Sequence, residues 1–186
     1  ITGAFDLEGS AKGQDMRVGV AEVDNLLKGA ATVEASVLRD TKGTTLRRLD
    51  VKASSLTATA SGQLATAGSD IAATLDFRDL RALGNGYRGA IAGRAKLTGT
   101  LEAGRVTFDA TGQGLGIGQT EADRLLAGES RVSLVLALTD GAVTVERADL
   151  SNPQLEAQAT GVVQDSAQTI DLTARLKNLA LLVPEF

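Results

Sequence analysis

A carboxylate dyad for general acid–base work is formally open, for instance around Asp76 and Asp79. They close an alternating run, Ile71, Ala73, Leu75 and Phe77, and in that place they read as solvated strand-end charges. Gly112-Gln113-Gly114-Leu115-Gly116 has the outline of a glycine-rich phosphate loop. No Lys-Ser/Thr pair follows it and no βαβ unit surrounds it, so the pattern fails. Asn152 is followed by Pro153 and is no glycosylation acceptor. With no His and no Cys, the chain lacks the donors for structural zinc, iron–sulfur clusters or His-ligated haem. Serine–histidine and cysteine–histidine nucleophiles are excluded for the same reason. No catalytic constellation, metal or cofactor is expected. Disulfides are also excluded, which is compatible with a periplasmic or secreted protein without identifying the compartment. Lys and Arg number 19 against 23 Asp and Glu, and aromatics make up 3%. That balance argues against nucleic acid, which needs a basic face and usually aromatic platforms. No run of 18 apolar residues could span a bilayer as a helix. The chain begins at Ile1 rather than Met, as expected of an excised segment.

The chemistry left is the solvation of apolar matter, and alternation positions the residues for it. Ile91, Gly93, Ala95, Leu97, Gly99 and Leu101 alternate with Ala92, Arg94, Lys96, Thr98 and Thr100. Val132, Leu134, Leu136 and Leu138 alternate, as do Ile170, Leu172, Ala174 and Leu176. A period of two puts each apolar set on one face of a strand. Asp40-Thr41-Lys42-Gly43 and Thr139-Asp140-Gly141 read as tight hairpin turns, and Gly84-Asn85-Gly86 as a longer break. About a dozen strands of roughly eight residues, roughly 12 apart, predict an all-β protein of consecutive antiparallel strands. The crossover helices that a parallel sheet requires are missing.

Two stretches depart from the pattern. Val23, Leu26 and Leu27, and in the second stretch Ala122, Leu125 and Leu126, have helical spacing, and Gly29 and Gly128 suit helix stops. Thr120 with Asp123 resembles an N-terminal capping arrangement. Two short helices are predicted, either as connections closing one sheet end or as a lid over a groove.

The chain repeats itself at an offset of 99 residues, with 19 of the 68 positions from Gly13 to Leu80 identical. Glu22 meets Glu121, Asp24 meets Asp123, Val33 meets Val132, Arg48 meets Arg147, Asp50 meets Asp149 and Gly62 meets Gly161. Residues 1–99 and 100–186 are expected to be tandem β repeats of one continuous elongated domain.

The predicted inward faces are small and aliphatic. Leu56, Ala58, Ala60, Gly62 and Leu64 form one, and Leu155, Ala157, Ala159, Gly161 and Val163 another. Such faces permit either closely packed sheets or an unfilled apolar channel. A channel would suit acyl chains, at about 0.8 kcal/mol per buried CH₂. The candidates for lining it are Phe5, Leu7, Val33, Val37, Leu56, Ala58, Leu64, Ile71, Leu75, Phe77, Ile91, Leu97, Leu101, Val106, Phe108, Val132, Leu134, Leu136, Val143, Val145, Leu155, Ile170, Leu172 and Leu176.

One succession of motifs carries a family resemblance. Gly114-Leu115-Gly116-Ile117-Gly118-Gln119-Thr120-Glu121-Ala122-Asp123-Arg124-Leu125-Leu126-Ala127-Gly128 precedes an alternating strand. Val145-Glu146-Arg147-Ala148-Asp149-Leu150-Ser151 and Leu155-Glu156-Ala157-Gln158-Ala159-Thr160-Gly161 follow. The first copy, from Val18-Gly19 to Ala60-Ser61-Gly62, is a looser version, and Gly86-Tyr87-Arg88-Gly89 also fits. This order resembles the TamB family, the translocation and assembly module subunit of Gram-negative bacteria, among the AsmA-like bridge-like proteins. The resemblance implies an elongated antiparallel β-taco, a folded sheet with an apolar groove. It implies a periplasmic segment of a protein anchored in the inner membrane by an N-terminal helix. It further implies phospholipid transport toward the outer membrane and support of outer-membrane protein assembly and protein secretion. The implied partners are phospholipid acyl chains, the outer-membrane barrel protein TamA and nascent outer-membrane proteins. Two other readings stay open: a chaperone-like scaffold working by β-augmentation, and a structural β-solenoid stalk.

Overall fold

A computed structural model describes residues 3–177 apart from 18, 20, 42, 66–67, 101, 141 and 165–166. Its strands are β1 (Phe5–Gln14), β2 (Ala30–Asp40), β3 (Gly43–Lys52), β4 (Leu56–Leu64), β5 (Ser69–Phe77), β6 (Arg88–Gly99), β7 (Ala103–Gly116), β8 (Glu129–Thr139), β9 (Ala142–Ser151), β10 (Leu155–Gln164) and β11 (Ala167–Leu176). Two short helices, α1 (Ala21–Leu26) and α2 (Thr120–Leu125), fall where the sequence places them. All eleven strands join one sheet in chain order, each antiparallel to the next. Ten interstrand spacings of about 4.8 Å make it about 48 Å across the strands. The strands run longer than the expected eight residues, from 9 to 14.

The 99-residue offset reappears in the backbone. Asp15 N–H donates to Gly29 at 3.0 Å, and Gly114 N–H donates to Gly128 at 2.9 Å. Ala53 N–H meets the Leu56 carbonyl at 2.8 Å, and Asn152 N–H that of Leu155 at 2.9 Å. The Arg78 guanidinium holds the Ala53 carbonyl at 3.1 Å, and Lys177 Nζ holds that of Asn152 at 2.9 Å. Each copy also has a bulge at the same place, between Leu46 and Leu49 in β3 and between Val145 and Ala148 in β9. A bulge adds one residue to a strand and bends it.

The bulged side chains reach over the intervening strand. Arg47 of β3 pairs with Asp6 of β1, and Glu146 of β9 pairs with Arg105 of β7. The positions correspond at the 99-residue offset, and the charges are exchanged.

The helices sit at one end of the strands. Leu27, just past α1, is buried with Ala31 at the start of β2 and Ala53 just past β3, with Met16 and Val51 alongside. The second copy replaces Ala31 and Ala53 by Ser130 and Asn152, both buried. Asn152 donates to the Leu125 carbonyl at 2.8 Å and to Ser130 Oγ at 3.2 Å. Its Oδ1 accepts from the Gln154 and Leu155 N–H groups at 2.9 and 2.7 Å. Asn152→Ala strands Ser130 and those N–H groups, and chemical unfolding is expected to show a loss of about 2–4 kcal/mol. Adding Ser130→Ala should recover about 1 kcal/mol or more, because the first copy folds with alanine at both places.

The capping arrangement expected at Thr120 is not formed. Gln119 occupies the N-cap position without a side-chain hydrogen bond, and Thr120 is already helical. Asp123 faces back instead, accepting the Ile117 N–H at 2.7 Å and pairing with Arg88. It thereby ties α2 to the start of β6.

Candidate functional site: an uncovered apolar sheet face

Directly paired residues in an antiparallel sheet share a face, so register alone builds the surface. One row crosses all eleven strands: Leu7, Val37, Leu46, Gly62, Ile71, Leu97, Val106, Leu136, Val145, Gly161 and Ile170. A second runs Ala11, Val33, Val51, Ala58, Leu75, Gly93, Ala110, Val132, Leu150, Ala157 and Ala174. Between them lies Gly9, Ala35, Leu49, Ala60, Ala73, Ala95, Phe108, Leu134, Ala148, Ala159 and Leu172. None of the three rows contains a polar side chain.

The opposite face is its converse. One of its rows reads Ser10, Glu34, Asp50, Thr59, Thr74, Arg94, Asp109, Ser133, Asp149, Gln158 and Thr173. Arg48 pairs there with Glu34 and Asp50, and Arg147 with Asp149. Depressions of about 490 and 570 Å³ lie on this side, around Arg48, Thr74 and Lys96 and around Arg94, Arg131 and Ser133. Both are open to solvent, and their linings mix small apolar residues with Arg48, Arg94, Lys96, Arg131, Asp109 and Asp149.

Every sequence candidate on a described residue lies on the apolar face; Leu101 lies outside the described residues. Among the described residues no second layer buries that face. Among the described residues the buried apolar core is limited to Leu27, Ala31, Ala53 and Leu56. Leu7 stays 58% exposed, Ile170 58% and Leu172 69%, and the central residues of the three rows are half-buried. The area of the whole chain agrees. It exposes 11999 Å², whereas a compact globular protein of its 19.1 kDa would expose about 8,400 Å². Two sheets packed face to face would have removed these side chains from water.

The register adds residues that strict alternation passes over. Leu46, Leu49, Val51 and Leu150 belong to the same face. The signal for the first two is local: Leu46-Arg47-Arg48-Leu49 puts two polar residues where alternation allows one, which is how a bulge is written.

Asp76 and Asp79 do not form a catalytic pair. Asp76 lies in β5 on the polar face, opposite Thr57 and Ala92. Asp79 caps a 3₁₀ turn, Leu80–Leu83, accepting the Arg81 N–H at 3.0 Å and ion-pairing with its guanidinium at 2.9 Å. The Arg81 side-chain hydrogen bond, then its backbone N–H, holds the Asp79 carboxyl below the usual carboxylate range. A depressed folded-state value makes the cap fully stabilising above the unfolded value, near about pH 4, and removes that contribution as pH falls through the folded value. Hydrogen exchange at the Arg81 amide should therefore accelerate on acidification beyond the intrinsic pH dependence, and Asp79→Asn should abolish that excess. Gly112–Gly116 is the end of β7 and not a phosphate loop. Among the described residues no cluster of acidic side chains could hold a metal, and no helix is long and apolar enough to cross a membrane.

The chain is thus an open antiparallel sheet of duplicated units, with three central rows of one face apolar from edge to edge. No curated protein and no solved structure gives a match to it. A family model described as "TamB, N-terminal domain" matches residues 1–133, well over half of the length. The chain belongs to the TamB family.

Proposed function

We propose that this chain is a periplasmic segment of a TamB-like protein whose apolar face shields phospholipid acyl chains on their way between inner and outer membrane. The observation that carries the reading is the set of three unbroken apolar rows left half-exposed to solvent. Water against such a wall is costly, and each CH₂ transferred onto it contributes up to about 0.8 kcal/mol. The small residues among the rows, Gly62, Ala73, Ala95 and Gly161, leave room for an acyl chain to lie along the sheet. Arg39 enters this face only in an outer row, opposite Phe5 and Thr44, so along the three apolar rows a chain meets no charge that would trap it.

On this reading residues 1–99 and 100–186 are successive lengths of one conduit. Anchorage in the inner membrane, cooperation with TamA and support of outer-membrane protein assembly belong to the whole protein of which this segment is part. The test is native mass spectrometry of the gently purified chain. Phospholipid adducts that exchange with labelled lipid are the expected result. A lipid-free protein that also fails to take up phospholipid from vesicles overturns the proposal in favour of a scaffold or stalk.

A further inference from the structure

The apolar face is stoppered at one end of its strands and open at the other. Among the described residues every buried side chain, from Leu27, Ala31, Ala53 and Leu56 to Ser130 and Asn152, lies at the helix end. Both copies fold an apolar side chain down onto that end of the face. A methyl group on Gly13 would lie 2.9 Å from Met16 Cγ, and one on Gly112 2.6 Å from Leu115 Cδ1, at the same place 99 residues on. The 3₁₀ turn at Leu80–Leu83 follows β5, about 19 Å from α1 by the strand spacing of a flat sheet. The two nevertheless come within 8 Å, Cα to Cα, and so bridge the ends of β2 to β5. The other end carries short turns, and no described residue of its outer row is buried. That row includes Phe5, Arg39, Thr44 and Leu64. Across it and the three apolar rows, Arg39 is the one charged residue among the described residues. Its exposed side chain donates to Thr44 Oγ1 at 3.5 Å, the long limit of a hydrogen bond, and no described carboxylate pairs with it. Asp40 beside it has the register of the polar face.

Resting on the function proposed above, we propose that phospholipid enters this face tail-first from the turn end, and that the Arg39 guanidinium takes its phosphate. The planar guanidinium presents paired N–H donors that fit two phosphate oxygens at once. The dimensions agree. From Arg39 to Ala31 the strand β2 runs about 27 Å, at about 3.4 Å per residue. One leaflet's hydrocarbon is about 15 Å deep, so chains held at Arg39 end near the middle row, short of the stopper. The post occurs once: 99 residues on, its place is taken by Leu138. A lipid is thus oriented on the first copy and meets only apolar contacts in the same row of the second.

The test offers the full chain vesicles of dioleoyl phosphatidylglycerol containing dioleoylglycerol, which has the same chains and no phosphate. Native mass spectrometry reads the ratio of the two adducts. Arg39→Gln, an exposed change that should leave circular dichroism intact, is expected to lower the ratio of phosphatidylglycerol to dioleoylglycerol about threefold with dioleoylglycerol uptake unchanged. Arg94→Gln, on the polar face, should leave the ratio as it was. Phosphatidylglycerol with a photoreactive group at the chain terminus should label Ala35 or Leu49 in the middle row. With the group beside the glycerol, the label should fall on Phe5 or Leu64. A ratio indifferent to Arg39→Gln, or labels in the reverse order, overturns the proposal and leaves the conduit standing. Uptake of neither lipid overturns both.

Discussion

Leu75→Asp and Leu136→Asp each strip bound phospholipid from the purified chain and leave the sheet folded: this is the outcome expected of an open apolar wall. Leu75 faces Ala58 and Gly93 across its two neighbours, so a carboxylate there points into space that water can enter. Leu136 lies between Val106 and Val145 in the row that crosses the whole sheet. In a half-exposed place the loss of aliphatic packing costs about 1–2 kcal/mol. The same carboxylate sealed in a dry core would cost several kcal/mol and unfold a domain of ordinary stability. Thermal unfolding and native mass spectrometry on one sample separate the cases. A melting temperature lowered by a few degrees with lipid lost supports the conduit. A collapse of the fold means that the wall is covered, and full lipid retention means that the chains lie elsewhere.

The second large effect is at Gly62. A methyl group there would lie 2.0 Å from the Asp70 carbonyl oxygen, and the backbone has φ near +149°, a region other residues avoid. The obstacle is main chain of β5 and cannot swing aside. Gly62→Ala must either part β4 from β5 or twist both, and a loss of about 3 kcal/mol or more in urea unfolding is expected. Gly9→Ala is the matched control. It lies on the same face in β1 with nothing within 4 Å of the added carbon, and should change stability by about 0.5 kcal/mol or less. Equal effects at the two glycines would show that close strand approach at Gly62 does not govern stability.

Much of this architecture could be read from residue order because one physical rule dominates it. A meander without crossovers needs only alternation and turns, and Ile71–Phe77 or Ile170–Leu176 display both. The helices were legible because Leu26-Leu27 and Leu125-Leu126 break the period of two. What escaped was the local detail of backbone geometry. The bulges hide behind Arg47-Arg48 and Glu146-Arg147, so Leu49 and Val51 shift into phase with a face that counting by twos from Leu46 would deny them. Thr120 has the chemistry of a cap, yet Gln119 takes that position and Asp123 serves Ile117 and Arg88 instead. Whether the apolar face met a second layer was not written in alternation at all. Alternation assigns side chains to a side; it does not say what lies across from them.

The exchanged charges at the two bulges bear on how a chain whose halves share one plan finds its own strands. Asp6 meets Arg47 in one copy, and Arg105 meets Glu146 in the other. If a nascent first half borrowed the third strand of the second, Asp6 would confront Glu146; the reverse borrowing would set Arg105 against Arg47. Exposed pairs of this kind contribute little to the depth of the native state. Their value lies in discrimination, since each mismatched assembly trades an attraction for a repulsion. Two units built on one plan thus carry opposite signs at the one place where a borrowed strand would be felt across its neighbour.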